Sequence, residues 1–373
     1  MTIKKDVYDD LAELIGAPGS ASFIKILEVL ITPEDGKLVL ELPVPATSQE
    51  LAKRLNMSEG SLHVKLDELV TKRWLRSTRD GYVAPLMNPR FMPRALLPGI
   101  SESRFEELSK EFYYADYRRI LVENRERMLA VKGYNSQRIV PASKALAMSP
   151  NIRPQQILPY EDFQNMLNRA TDITVHECGC RTHRAVCNRP VETCIRMSWT
   201  GEVQIWRGDG SVPQAQYEKT VGHSEGTHIT RERAMEVFDQ AEEAGLVHVL
   251  ENTSRLQGGM CNCCPCCCYI LDPGIHFGKV HKMLAPSRYQ AVIDETLCNG
   301  CQTCVERCYF DAIEMRKPSN SKKLKAYMIN ENCMGCGLCV FKCPSLAMHL
   351  EVVRPPSHIP NLPMSEVTSL QKF

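Results

Sequence analysis

The first 177 residues of this chain contain no cysteine, although the full sequence of 373 residues carries 18. Other absences set further limits. The formal charge is +1, from 45 basic and 44 acidic residues, so there is no excess of one sign to offer nucleic acid or an acidic membrane surface. No apolar run approaches the roughly 20 residues of a spanning helix. The stretch MTIKKDVYDDLAELIG is charged where a secretory signal would be apolar, and a cytoplasmic location is expected. No G-x-G-x-x-G and no G-x-x-x-x-G-K-[ST] occurs, so no nicotinamide, flavin or nucleotide site is expected. No Ser/His/Asp constellation stands out, and no catalytic residue is assigned. A hydrophobic content of 43% over this length is enough for two or three cores, hence for more than one domain.

What the chain does have is cysteine in three groups, at 178–194, 261–268 and 298–343. In a reducing compartment such spacing points first to metal binding. In the last group Cys298-x2-Cys301-x2-Cys304-x3-Cys308 recurs, shifted by 35 residues, as Cys333-x2-Cys336-x2-Cys339-x3-Cys343. The flanks repeat as well: AVIDETLC matches YMINENC, and FDAIEM matches PSLAMHL. Each half is expected to run strand, cysteine loop, short helix, strand. A [4Fe–4S] cube needs one thiolate per iron. A loop with a cysteine at every third position wraps three corners of a cube, and the fourth cysteine of the run reaches the other cluster. This assigns Cys298, Cys301, Cys304 and Cys343 to one cube and Cys333, Cys336, Cys339 and Cys308 to the second. Zinc held by CxxC pairs would not need eight cysteines in a doubled pattern.

These residues resemble the bacterial two-[4Fe–4S] ferredoxin domain. That family places proline after the fourth cysteine; Pro344 conforms and Tyr309 does not. The basic loop 316–325, RKPSNSKKLK, lies between the two motifs. It is expected to balance the charge of the cubes, about −2 each when oxidised; a docking patch for an acidic redox partner is the alternative.

The N-terminal third holds helical signals. SASFIKILEVL is one helix. Thr47 and Glu50 form a capping box before a short helix with Leu51 and Leu55 on one edge. Ser58 caps a second helix with Leu62, Lys65, Leu66 and Leu69 in register, and RSTRDGYVAP offers a hairpin turning at Asp80–Gly81. The order resembles a winged helix-turn-helix. A DNA role is disfavoured, because Ser58, Glu59, Gly60 and Ser61 occupy the turn that should read bases and no Arg or Lys precedes Lys65. Arg76 and Arg79 on the wing are the residues left to touch a DNA backbone. A long helix over 103–131 is expected, with a capping box at Ser103 and Glu106, Gly133 beyond its end, and Phe105, Leu108, Phe112 and Ile120 on one face. RIVPASKALAMSPNIRPQQILPYE then suggests a Pro-rich connector over a surface.

In the middle region EDFQNMLNRA suggests a helix and DITVHE a strand entering Cys178. CGCRTHRAVCNRPVETC holds Cys178, Cys180, Cys187 and Cys194. A strand-like VQIW follows, then a helix through EEA with Gly245 past its end, then a strand leading into CNCCPCCCYIL. Both cysteine groups follow strands, so strand pairing is expected to bring them together. The layout resembles the middle of anaerobe 4Fe–4S ferredoxin-like proteins with a CxCR…C…P-x-E-x-C segment, an AEEAGLVH helix and CNCCxCCC. The matching residues are Cys178, Cys180, Arg181, Cys187, Pro190, Glu192, Cys194, Ala241 to His248 and Cys261 to Cys268. With the winged module, the resemblance covers nearly the whole chain. It implies a redox role in anaerobic metabolism and no particular reaction.

Three roles stay open for Cys178, Cys180, Cys187, Cys194, Cys261, Cys263, Cys264, Cys266, Cys267 and Cys268. They could be ligands of at least one further iron–sulfur cluster, favoured because cluster assembly already acts on a chain with a ferredoxin domain. They could be ligands of zinc, or a thiol–disulfide site exchanging electrons with the cubes. Six cysteines in nine residues should include non-ligands. His176, His183 and His248 are expected to be hydrogen-bonding or surface residues rather than ligands. Arg181 and Arg184 either offset thiolate charge or are ordinary solvated arginines.

The expected fold class is α+β and multidomain. It divides into a winged-helix-like module at 1–100, a long helix and connector at 101–160, a cysteine-rich middle domain at 161–285, a ferredoxin domain at 286–353 and a tail at 354–373. The expected function is iron–sulfur electron transfer between partner oxidoreductases. The alternatives are a redox-sensing transcription regulator that binds DNA and a reductase with a catalytic CNCC site. Oligomeric state is unreadable.

Overall fold

The computed structural model describes residues 6–78, 80–84, 96–198, 226–255, 258–319 and 323–362. They form two compact units, one ending at Ile120 and the other beginning at Leu121. Arg79, the VQIW segment and part of the basic loop lie outside the described residues.

The first unit is helical: α1 (Val7–Ile15), α2 (Ala21–Leu30), α3 (Pro33–Leu40), α4 (Ser48–Leu55) and α5 (Glu59–Thr71) precede a hairpin of β1 (Arg76–Thr78) and β2 (Gly81–Val83). Each helix start is marked by a short polar side chain that accepts from an otherwise unpaired backbone N–H: Asp6, Ser20, Thr32, Thr47 and Ser58. Thr47 and Glu50 close the expected capping box, and Asn56 ends α4 in the left-handed conformation at φ 53°. Leu62, Leu66 and Leu69 of α5 are fully buried, with Phe23, Ile26, Leu27 and Trp74 in the same unit. Lys65 does not join them. Its ammonium pairs with Asp35 at 2.9 Å and Glu68 at 3.0 Å.

α6 (Glu102–Phe112) is capped by Ser101, whose hydroxyl accepts from the Arg104 N–H at 3.2 Å, rather than by Ser103. The helix therefore starts one residue earlier than 103, and Ser103 hydrogen-bonds Ser101 instead. Leu108, Phe112 and Ile120 are buried as expected, whereas Phe105 is only half-buried. One π-helical turn, Tyr113–Tyr117, interrupts the run, and the Asp116 carboxylate there accepts from Ser20 and Ser22 at 2.6 and 2.7 Å. α7 (Arg118–Lys132) completes the run, with Gly133 at φ 74° beyond it.

The second unit contains a six-stranded antiparallel sheet. Its elements are β3 (Gln137–Val140), α8 (Ser143–Ala147), α9 (Phe163–Arg169), β4 (Asp172–Glu177), α10 (Gly179–Arg184), β5 (Glu192–Ser198), β6 (Thr227–His228), α11 (Arg231–Glu243), β7 (Val247–Glu251) and β8 (Gly259–Cys263). The strand order is β3-β7-β8-β5-β4-β6. One sheet face is covered by α9 and α11. There the Phe163 and Phe238 rings stack 3.9 Å apart among Met166, Ile173, Ile195, Val237, Leu250 and Met260.

After two short helices, α12 (Leu271–His276) and α13 (Val280–Met283), the chain enters four strands and one helix: β9 (Tyr289–Ile293), α14 (Thr303–Arg307), β10 (Ile313–Arg316), β11 (Lys325–Met328) and β12 (Met348–Val352). The first repeat has its short helix; the second has turns in the corresponding place.

Residues 137–149 are not a connector over a surface. Ile139 and Val140 are 1% exposed and Ala142 and Ala145 are fully buried. β3 is the edge strand of the sheet, the Ala142 N–H donates to the Cys336 carbonyl at 2.9 Å, and Ser149 accepts from the Leu350 N–H at 2.8 Å. The prolines that suggested a loop sit between these elements. The stretch is retained inside because its apolar side chains are buried and its backbone groups find partners.

Candidate metal centres

Strand pairing in the C-terminal module crosses the repeats. β9, which precedes Cys298, pairs with β12, which follows Cys343, with Ile293 opposite Met348. β10, which follows Cys308, pairs with β11, which precedes Cys333, with Ile313 opposite Met328. Each fourth cysteine is thereby carried to the loop of the other repeat. One cavity is lined by Cys298, Cys301, Cys304 and Cys343 together with Ile293, Met315, Ala326 and Met348. Cys308, Cys333, Cys336 and Cys339 feel one another's charge as a second set.

Burial raises Cys304 to about 11, with Cys343, Cys298 and Cys301 adding repulsion. Burial likewise raises Cys336 to about 12, with Cys308 and Cys333 beside it. Buried thiols raised in this way ionise readily only against a cation, while the exposed Cys301 is lowered by its hydrogen bonds with Thr303. The Ala326 N–H donates to the Cys298 sulfur at 3.5 Å, the kind of bond that tunes a cluster's potential. Gly300 and Gly335, equivalent under the 35-residue shift, adopt φ 80° and 68°, and at both a Cβ would collide with backbone carbonyl oxygen. The residues present therefore fit a thiolate-bound cluster in each half.

The sheet positions the other ten cysteines. Along β8, side chains alternate between faces. Met260 enters the core under α9 and α11, so Cys261 and Cys263 face the other way. Ile195 lies opposite Met260, which puts Cys194 on the cysteine face, next to His176 of β4. A register shift after His176 ends β4, and Cys178 and Cys180 then enter at the start of α10.

The thiols fall into two sets. Cys178 is coupled to Cys180 and Cys194, Cys194 to Cys261, Cys261 to Cys263, Cys263 to Cys268, and Cys268 to Cys180, each thiol perturbing the ionisation of the next. This is a closed ring of six. The neighbouring Cys180 thiol is the main reason Cys178 rises to about 12. Cys194, Cys263 and Cys268 are also held well above the usual thiol range, each by a neighbouring thiol first, with burial adding to it. The second set is Cys187, Cys264, Cys266 and Cys267, whose sulfurs all lie within 4.8 Å of one another. Burial alone would raise Cys187, but the Arg189 N–H and the thiols of Cys266 and Cys267 carry it down to about 7.

Two buried arginines serve these sets. Arg181 is 1% exposed and donates to the carbonyls of Pro190 and Asn262 and to Thr193. Burial would depress it, yet the charges of Cys178, Cys264 and Cys194 keep it protonated. Arg184 pairs with Asp272 at 3.1 Å, both side chains buried, so neither arginine is a solvated surface residue. Arg189, which the sequence did not single out, donates to the Cys266 sulfur at 3.4 Å, to the Ala244 carbonyl at 3.1 Å and to the Tyr309 hydroxyl at 3.4 Å.

His176 bonds Thr174 at 2.8 Å, His183 is exposed, and His248 is buried between Asn262 and Glu242. No disulfide joins any of the 18 cysteines. Among the described residues no helix is long and apolar enough to cross a membrane.

Compared with known families, residues 297–347 match the 4Fe–4S dicluster domain. Comparison with curated proteins gave no match. The chain thus carries a 4Fe–4S dicluster domain and, before it, a cysteine-rich region with a site suited to metal, within a multidomain fold of mixed helix and sheet.

Proposed function

We propose that this protein is an iron–sulfur electron-transfer protein that passes electrons between partner oxidoreductases. One [4Fe–4S] cube is held by Cys298, Cys301, Cys304 and Cys343, the other by Cys333, Cys336, Cys339 and Cys308, and the middle-domain cysteines supply a further metal–sulfur site. When bound, the cubes supply one-electron chemistry at low potential. The chain's own part is to hold them in largely apolar pockets, to donate backbone N–H groups to sulfur, and to keep Arg181 and Arg189 beside the neighbouring thiolates. The observation that carries this reading is the crossed strand pairing, which delivers each fourth cysteine to the opposite loop.

Iron and acid-labile sulfide per chain after anaerobic purification test it, together with reduction by dithionite and reoxidation by a dye. At least about eight irons are expected, with reversible bleaching. Fewer than about four irons, or clusters that do not cycle, would overturn it.

The N-terminal module is proposed as a winged-helix-like scaffold for docking protein rather than for reading DNA. Lys65, the first lysine or arginine of α5, is engaged by Asp35 and Glu68, and Glu59 occupies the first turn. The full chain should bind random duplex no more tightly than about 10⁻⁴ to 10⁻⁶ M at physiological salt. Nanomolar affinity for one sequence would promote the regulator reading instead.

A further inference from the structure

The four sulfurs of Cys187, Cys264, Cys266 and Cys267 are packed more closely than a cube allows. In a cube each thiolate leaves from a different iron at a different corner, which spreads the sulfurs apart. On one ion they share a centre. With a metal–sulfur bond of about 2.3 Å, a tetrahedral site puts its sulfurs about 3.8 Å from one another. Cys187 and Cys267 lie 3.6 Å apart, and Cys266 and Cys267 3.9 Å. The ferredoxin cysteines provide the contrast within the same chain. Among the described residues only these four middle-domain cysteines converge within 4.8 Å, whereas the two sets in the region matched to the dicluster family do not. The six-thiol ring does not converge on one point either.

The surroundings agree. The site is walled by Ala241, Ala244 and Leu246, which offer no side-chain oxygen ligand. Four thiolates on a divalent ion leave a charge of −2, and two guanidinium groups reach the set. Arg189 donates to Cys266, and the buried Arg181 guanidinium feels the charge of Cys264. The ligands come from two loops, one after α10 and one after β8, so a single ion would fasten them to each other.

We propose that Cys187, Cys264, Cys266 and Cys267 hold one thiophilic divalent ion, zinc or ferrous iron, in a mononuclear tetrahedral centre separate from any cluster. The proposal rests on the reading of the middle cysteines as metal ligands and is independent of how many cubes the C-terminal module carries. In the Cys266→Ser/Cys267→Ser double variant of the full chain, purified anaerobically beside the wild type, about one metal equivalent should disappear with no loss of acid-labile sulfide. Elemental analysis tells zinc from iron. Loss of iron together with sulfide would overturn the proposal in favour of a cluster, and loss of nothing would overturn it outright. If the metal is zinc, absorption-edge spectroscopy of the untouched protein gives a second measurement free of folding defects. One shell of sulfur at about 2.3 Å is expected, with no short metal–metal distance, and a metal neighbour would refute the single-ion centre. If it is ferrous iron, Mössbauer spectra of the wild type should contain one high-spin tetrahedral-sulfur iron outside the clusters, and its absence would refute the centre. A failure of the wider electron-transfer reading is distinguishable, because it would show as missing iron and sulfide in both proteins.

Discussion

In the C-terminal module the ligands of one site come from two loops set 35 residues apart, and each loop keeps three cysteines together. In the sheet the order is reversed. Cys263 and Cys264 are neighbours in sequence, yet the first belongs to the six-thiol ring and the second to the four-thiol set. Cys267 and Cys268 part in the same way. The difference teaches what spacing can encode. A loop that wraps a cube presents every third residue inward, so its spacing is its ligand set. A strand presents alternate residues to opposite faces, and the turn after it redirects the rest, so adjacent cysteines serve different sites.

The strongest way to break this comparison is at the crossing. Cys308→Ala should remove the cube held by Cys333, Cys336 and Cys339, about four irons, and spare the one in the Cys298 loop. Iron analysis with paramagnetic resonance of the reduced protein would read it, and loss assigned to the Cys298 cube would show that the crossing is wrong. A smaller but large effect is expected from the opposite sheet face. Phe238→Ala takes away the ring stacked on Phe163 and should destabilise the second unit by about 3–5 kcal/mol, seen as an earlier urea midpoint. An unchanged midpoint would mean the sheet does not depend on that core.

The seam between the sheet and the cubes can be probed at Ala145, which is fully buried with Gly337 against its Cβ. Ala145→Leu should cost about 1–3 kcal/mol by overpacking and disturb the spectrum of the Cys336 cube before that of the Cys298 cube. Equal disturbance of both would argue against a local seam. The smallest expected effect is Tyr309→Phe. It deletes the hydroxyl that accepts from Arg189 and should cost about 1 kcal/mol or less with iron content unchanged. A loss of iron would mean that the departure from proline at this corner matters for ligation rather than for packing.

Much of this protein was legible because it is local. Caps at Thr47 and Ser58, the left-handed glycines after the helices, and the doubled cysteine motif are written in residues a few positions apart, and short-range sterics and hydrogen bonding enforce them. Ser103 misled because two serines two positions apart are equally good caps by sequence, and only the geometry at Ser101 selects one. Residues 137–149 misled because proline marks a break in regular structure, not exposure. Whether such a stretch is buried depends on what lies across from it, here Cys336 and Leu350 about two hundred residues on. The sorting of the middle cysteines was illegible for the same reason. Strand alternation assigns a side chain to a face only after register is set, and register came from pairing Ile195 with Met260 and Val247 with Cys263. Arg189 and Tyr309 meet across 120 residues of sequence. Composition and spacing determined that this chain gathers thiolates for metal; strand pairing in the sheet and the turns after it decided which thiolates meet, because a sulfur's partners are fixed by distance in space.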